Sequence, residues 1–144
     1  MNTTFLIAVI VLIATGIATA LFYRPTPPRR FESLYTDALN SIVRGDFKTA
    51  LKYLREVVKN DTNHIDAYLQ MGEILRGEGN PHQAIKIHQS LTVRPNLDDP
   101  LKIDIHRSLA LDYLSVNNLI KSKQEADFIL KLEKKNTWAL EFLL

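Results

Sequence analysis

The side chains that could carry chemistry are few, and their spacing predicts no metal site. The sequence has no cysteine, which excludes a thiolate metal site and a disulfide framework. A zinc pair on one helix face needs histidines at positions i and i+4 together with a third ligand. His82 and His88 are six residues apart, so they fall on different helix faces. The remaining histidines are His64 and His106.

Nucleophilic catalysis and phosphate binding have no motif in this sequence. Ser41, Ser90 and Ser108 have no base at a recognisable spacing, although a triad assembled in space is not readable from sequence. A glycine-rich phosphate loop is absent. We therefore predict that the protein is not an enzyme and uses no cofactor.

The distribution of charge does not favour a nucleic-acid partner. The net charge is +2, from 18 basic and 16 acidic residues. Three of the basic residues, Arg24, Arg29 and Arg30, lie in a proline-rich stretch, which leaves 15 basic against 16 acidic residues elsewhere. Nucleic-acid binding usually needs a basic stripe on the folded domain.

A pattern recurs at an interval of 34 residues in the middle of the chain. Residues 45–50 (GDFKTA) are matched by residues 79–84 (GNPHQA), and Ala38 recurs as Gly72. This interval is typical of the tetratricopeptide repeat, a helix-turn-helix unit. Small residues suit the close approach of two helices, and glycine suits a turn that needs a positive φ. The chain thus resembles the tetratricopeptide family, which implies a binding scaffold.

The repeat assigns His88 a structural place. His88 stands 34 residues after Leu54, so it occupies a core position of the second repeat. We interpret it as a packed side chain with a hydrogen-bonded ring rather than as a ligand.

Residues 5–22 form an apolar run interrupted only by Thr15 and Thr19. About 20 residues at ~1.5 Å each would span the hydrocarbon layer of a bilayer. A cleaved signal peptide is the alternative, with a cleavage site at residues 18–20. However, no lysine or arginine precedes the run, and the run continues past that site. We predict an uncleaved transmembrane anchor.

The flanking charges predict the orientation of this anchor. Arg24, Arg29 and Arg30 follow the run, and the positive-inside rule then places the rest of the chain in the cytoplasm. The prediction is a single-pass protein of the inner membrane whose repeats face the cytoplasm. Proline at three positions of residues 24–30 predicts an extended linker.

The predicted fold class is all-α, with an N-terminal transmembrane helix followed by an α-solenoid of about three tetratricopeptide repeats and part of a fourth. The third repeat is displaced by four residues, which we expect the loop at residues 94–100 to absorb. Residues 137–144 form an apolar end without a polar cap, so we favour a fragment of a longer chain over an end that docks on a partner. The predicted domains are the anchor (1–23), the linker (24–30), repeat one (31–62), repeat two (63–97), repeat three (98–135) and the first helix of a partial repeat four (136–144).

In tetratricopeptide folds the first helices line a concave groove, which would bind an extended or helical peptide. Glu32, Asp66 and Asp104 share the second position of each repeat. They form either an acidic ladder for a basic partner segment or, as we favour, carboxylates that stabilise helix N-termini. The predicted groove residues are Tyr35, Leu39, Asp66, Leu69, Gln70, Glu73, Asp104, Arg107, Ser108 and Leu111.

One segment is more specific than the repeat. Residues 74–91, which include Ile87-His88-Gln89, resemble the second repeat of the lipopolysaccharide assembly protein B family, and residues 109–114 resemble its third. That family shares the layout of anchor, linker and longer loop. The resemblance implies an inner-membrane adaptor that regulates lipopolysaccharide synthesis together with a membrane-bound AAA protease and the deacetylase that commits precursor to lipid A. The family's C-terminal rubredoxin-like domain, with paired Cys-x-x-Cys, is not in this sequence. The alternative is a generic anchored scaffold of another cell-envelope or secretion complex.

Overall fold

A computed structural model describes residues 31–144 and, before them, residues 5, 7, 9, 11–13 and 15, which are helical. Residues 31–144 form helices joined by short turns. Each helix packs against the next along the chain, and α3 also contacts α5. The helices are α1 (Phe31–Val43), α2 (Phe47–Asn60), α3 (Ile65–Gly77), α4 (Pro81–Thr92), α5 (Asp99–Ser115), α6 (Leu119–Leu132) and α7 (Thr137–Phe142).

The all-α class is confirmed, but the transmembrane part of the predicted fold class is wrong. Among the described residues, no helix combines the length and the apolar character that a bilayer crossing requires. A span needs about 20 predominantly apolar residues. The longest helix of residues 31–144 is α5, which has 17 residues and carries several charges. Most of the predicted anchor 1–23 and all of the linker 24–30 lie outside the described residues.

The helices form pairs that repeat along the chain: α1 with α2, α3 with α4, and α5 with α6. The turns inside these pairs have the same geometry. Gly45, Gly79 and Asn117 have φ values of 73°, 81° and 57°, as a left-handed helix cap requires. The residue after each of them donates a backbone hydrogen bond to the carbonyl five residues earlier: Asp46 to Ser41 (2.9 Å), Asn80 to Leu75 (2.8 Å) and Asn118 to Tyr113 (2.8 Å).

The four extra residues of the third pair do not lengthen the loop, as the sequence had suggested, but add a turn to α5. This helix begins at Asp99, 34 residues after the start of α3, yet it has 17 residues where α3 has 13. The Asp98 side chain accepts a hydrogen bond from the Leu101 amide at 3.0 Å and so caps the added turn. Pro100 lies in the first turn, where a missing N–H costs nothing.

The core lies between the helices of each pair and between neighbouring pairs. Ala38, Ala50 and Ala84 are fully buried, which shows that the small residues lie where helices approach closely. In the third pair Ser122 takes the place of alanine, and its hydroxyl donates to the carbonyl of Ala110 at 2.8 Å. Large side chains such as Leu54 fill the remaining space.

Candidate functional site: a mixed-charge groove backed by a buried ion network

The first helices of the pairs, α1, α3 and α5, line one open concavity of about 200 Å³, called the groove below. The structure brings eight of the ten predicted groove residues together here. Leu39 on α1 is 37% exposed and Leu111 on α5 is half-buried, and neither lines the groove. That the groove binds a partner stays a prediction. Its lining residues are Tyr35, Asp66, Leu69, Gln70, Glu73, Asp104, Arg107 and Ser108.

Helical periodicity explains why these side chains converge. On α3 the lining positions are 66, 69, 70 and 73, and on α5 they are 104, 107 and 108. Residues three and four apart lie on one helix face. Leu69 and Ser108 form the buried floor, at 8% and 5% exposure, whereas the acidic side chains stand at the solvent-exposed rim.

The groove carries more negative than positive charge. Asp66 and Glu73 form no ion pair with any described residue. Asp104 lies 3.8 Å from the guanidinium of Arg107, a distance typical of a weak surface pair. Arg107 also lies over the ring of Trp138, at 5.2 Å from its centroid. Its Nε is buried and has no hydrogen-bond partner in the described part of the chain.

The first residues of α3 and α5 help to distinguish the two interpretations of Asp66 and Asp104, an acidic ladder for a partner or carboxylates that stabilise helix N-termini. Asp66 lies in the first turn of α3, where a carboxylate interacts favourably with the helix dipole. Asp104 lies in the second turn of α5, because the added turn moves the start of this helix to Asp99. The dipole effect falls off within one turn, so it does not account for Asp104.

The pKa of the Tyr35 hydroxyl is sensitive to the negative charge of the groove. Burial raises the pKa of its hydroxyl above the ordinary value, and the negative charges of Asp66 and Glu73 raise this pKa further. Both causes disfavour the phenolate.

We expect an ultraviolet titration to show this shift. The difference between wild type and Tyr35→Phe should contain one tyrosine that ionises above the ordinary pKa of 10.0. Asp66→Asn with Glu73→Gln should lower that pKa, because two negative charges are removed. The unfolded chain loses this proton first as pH rises, so Tyr35 should reduce stability as pH rises from 10.0 through the folded pKa. An unchanged titration in the double variant would contradict the placement of these carboxylates.

Behind the groove lies a buried ion network formed by Arg76 on α3, His88 on α4 and Asp112 on α5. Asp112 and His88 are fully buried, and their Oδ2 and Nδ1 atoms lie 2.6 Å apart. The other carboxylate oxygen of Asp112 accepts from Arg76 at 2.8 Å. His88 Nε2 lies 3.3 Å from the carbonyl oxygen of Leu69. The interpretation of His88 as a packed, hydrogen-bonded residue is therefore confirmed.

Gly72 makes room for this ring. A Cβ atom built on Gly72 would overlap the imidazole of His88. The sequence showed that a small residue recurs here, but not that an imidazole ring requires it. Arg76 and Asp112 were also missed. The available signal was a carboxylate at position 112 among the apolar residues 109–114.

Two of the other three histidines have structural roles, and the described residues show no role for His82. His64 Nδ1 accepts from the Ala67 amide at 3.3 Å and caps α3. His106 lies 2.5 Å from a carboxylate oxygen of Glu125 and stacks on Phe128. His82 is exposed. Among the described residues, no three metal-ligating side chains lie together.

Comparison with known proteins gives a weak match. No protein-family model matches the chain. Over 81 residues it is 26% identical to lipopolysaccharide assembly protein B of Escherichia coli K12, and the same holds for that protein of strains O6:H1 and O157:H7. The match covers 56% of this chain but 21% of each relative, so it spans about a fifth of their length. The identity supports a suspected relationship and does not establish membership of that family.

Proposed function

We propose that the chain is an adaptor that binds a cationic segment of another protein in the groove and thereby serves lipopolysaccharide assembly. The observation that carries the proposal is the convergence of eight side chains from three helices on one concavity, with three carboxylates against one guanidinium. The name of the relatives supports the link to lipopolysaccharide assembly.

The chemistry of the rim supports a cationic rather than an apolar partner. Asp66 and Glu73 have no cation beside them among the described residues, so a lysine or arginine of a partner would replace water at these carboxylates. Tyr35 lines the same groove, and the negative charges of Asp66 and Glu73 raise its pKa, which shows that their field reaches the groove. The cavity of about 200 Å³ would hold one or two side chains, so the partner contributes an extended or helical segment that lies along the groove.

We expect a short lysine- and arginine-rich peptide to bind the chain in a fluorescence anisotropy assay, and an acidic peptide of equal length not to bind. Asp66→Asn with Glu73→Gln should weaken binding of the basic peptide about tenfold, because two exposed charge pairs of up to about 1 kcal/mol each are lost and a tenfold change corresponds to about 1.4 kcal/mol. Added salt should weaken the wild type more than the double variant.

The matched control is Glu56→Gln with Glu78→Gln, which changes the net charge equally at exposed sites outside the groove. This variant should bind the basic peptide as the wild type does. Equal weakening by both double variants would mean that net charge alone attracts the peptide, and the groove proposal would be wrong.

The lipopolysaccharide part of the proposal has its own test. The candidate partners are a membrane-bound AAA protease and the deacetylase of lipid A synthesis, which the resemblance implies. Purified protease or deacetylase should bind the wild-type chain and the control variant, but not the groove variant. If neither protein binds while the basic peptide does, the chain is a scaffold for another complex.

A further inference from the structure

The buried ion network is joined to the groove at both of its ends by contacts between its side chains and backbone carbonyl oxygens. His88 Nε2 lies 3.3 Å from the carbonyl oxygen of Leu69, and Arg76 donates to the carbonyl oxygen of Ser108 at 3.4 Å. Leu69 and Ser108 form the floor of the groove. Asp112 connects the two ends, because its two oxygens contact His88 and Arg76.

The hydrogen-bonding capacity of His88 matches this arrangement. Both of its ring nitrogens face acceptors, a carboxylate oxygen and a carbonyl oxygen. An imidazole ring donates two hydrogen bonds only when both nitrogens carry a proton. The network then places the guanidinium of Arg76 and the ring of His88 on either side of one fully buried carboxylate, with both nitrogens of His88 engaged.

Stability alone does not explain why charged residues occupy these positions. The repeat places Ile42 and Leu54 where the second pair has Arg76 and His88, and Ile74 where α5 has Asp112. Apolar side chains therefore hold the equivalent contacts elsewhere in this chain. Burying ions costs several kcal/mol of desolvation, and well-packed apolar replacements are often neutral or stabilising, by about 1–4 kcal/mol. Hydrogen bonds depend on distance and angle, so they form at only one relative placement of the two helices. Apolar contacts tolerate a range of placements.

We propose that Arg76, His88 and Asp112 are positioning residues that hold α3 and α5 at one separation and rotation and so set the shape of the groove. The effect of the network on partner binding rests on the function proposed above. Its effect on the placement of the two helices is independent of that function. The network would keep the carboxylates of Asp66 and Glu73 on α3 at a fixed distance from Asp104 on α5 in the absence of a partner.

The test measures the distance across the groove. The chain has no cysteine, so Glu73→Cys and Asp104→Cys accept spin labels at two unique, exposed sites. Double electron–electron resonance should give one narrow distance distribution in this background. The apolar variant Arg76→Ile, His88→Leu and Asp112→Ile should give a distribution about twofold broader, while the melting temperature stays close to that of the labelled parent.

The control replaces another polar pair by apolar residues. His106→Leu with Glu125→Leu removes a contact between α5 and α6 that makes no hydrogen bond to a groove carbonyl among the described residues, and the distribution should stay narrow. A folded apolar variant with a distribution as narrow as that of its parent would overturn the proposal. If the apolar variant does not fold, Arg76→Met decides in the same way, since its unbranched side chain replaces the stem of Arg76 but lacks the one nitrogen that donates to both Asp112 and Ser108.

Peptide binding separates this inference from the proposed function. In the unlabelled apolar variant the basic peptide should bind about tenfold more weakly, because part of the binding energy is spent on ordering the groove. A broader distribution without peptide binding to the wild type would uphold the positioning role and refute the proposed function. A narrow distribution with peptide binding would uphold the function and refute the positioning role.

Discussion

Gly72→Ala is expected to destabilise the protein by about 2 kcal/mol, although alanine is the better helix former. The new methyl group would overlap the ring of His88, which is fully buried and bonded on both sides. Either the ring leaves its hydrogen bonds or α3 and α4 move apart. The gain in helix propensity is about 1 kcal/mol, so a net loss means that packing outweighs propensity. Urea denaturation gives the free energy of unfolding.

The chain provides a matched control for this substitution. Gly77 lies at the end of the same helix, and a Cβ atom there would meet nothing within 4 Å. Gly77→Ala should therefore stabilise the protein by about 0.4–1 kcal/mol. Gly72→Ala can also be made in the apolar background Arg76→Ile, His88→Leu and Asp112→Ile, which has the leucine of the first pair, Leu54, in place of the ring and leaves no buried charge. There it should cost less than in the wild type, and an equal or greater loss would mean that the ring is not what requires Gly72.

Much of the fold could be predicted from the sequence because it depends on residues that are close together in the chain. The interval between residues 45–50 and 79–84 predicted the position of the turns, and glycine at 45 and 79 predicted their left-handed caps. These features depend on a few neighbouring residues, which a single sequence contains.

The added turn of α5 was not predicted, because the four extra residues were assigned to the loop at residues 94–100. Proline fits both a loop and the first turn of a helix, and only the cap from Asp98 distinguishes them. The transmembrane helix was predicted from the length of the apolar run and from the residues that flank it, and no described helix fits it. The length of an apolar run shows whether a segment could cross a bilayer. It does not show which residues of the chain form a continuous helix.

The groove and the network differ in how far the sequence predicts them. Groove positions follow from helical register, since residues three and four apart share a face. The network joins residues that are 12, 24 and 36 positions apart on three helices. No periodicity relates a histidine, an arginine and an aspartate at these distances, so their contact is a product of tertiary packing. His88 was placed in the core by its repeat position, but its partners could not be named.

Asp112→Asn is expected to cost about 3 kcal/mol or more of unfolding free energy, the largest loss of any single substitution discussed for this chain. Asp112 is fully buried between His88 and Arg76, and the amide has a similar size and shape but no charge. Either Arg76 or His88 would lose its acceptor and face the NH₂ group instead. Removing one partner of a buried ion pair costs far more than replacing all partners, because the remaining charge stays buried without compensation.

The comparison with Asp104→Asn isolates burial as the cause. Asp104 is on the same helix and also lies near an arginine, but its side chain is 53% exposed and the pair distance is 3.8 Å. This variant should change stability by no more than about 0.5 kcal/mol, because water already screens the pair. Adding Arg76→Ile and His88→Leu to the Asp112→Asn variant should then restore part of its loss, since no cation is left without an acceptor. If the restored variant is as unstable as Asp112→Asn alone, the loss arises from packing at position 112, and the network contributes no compensating charge.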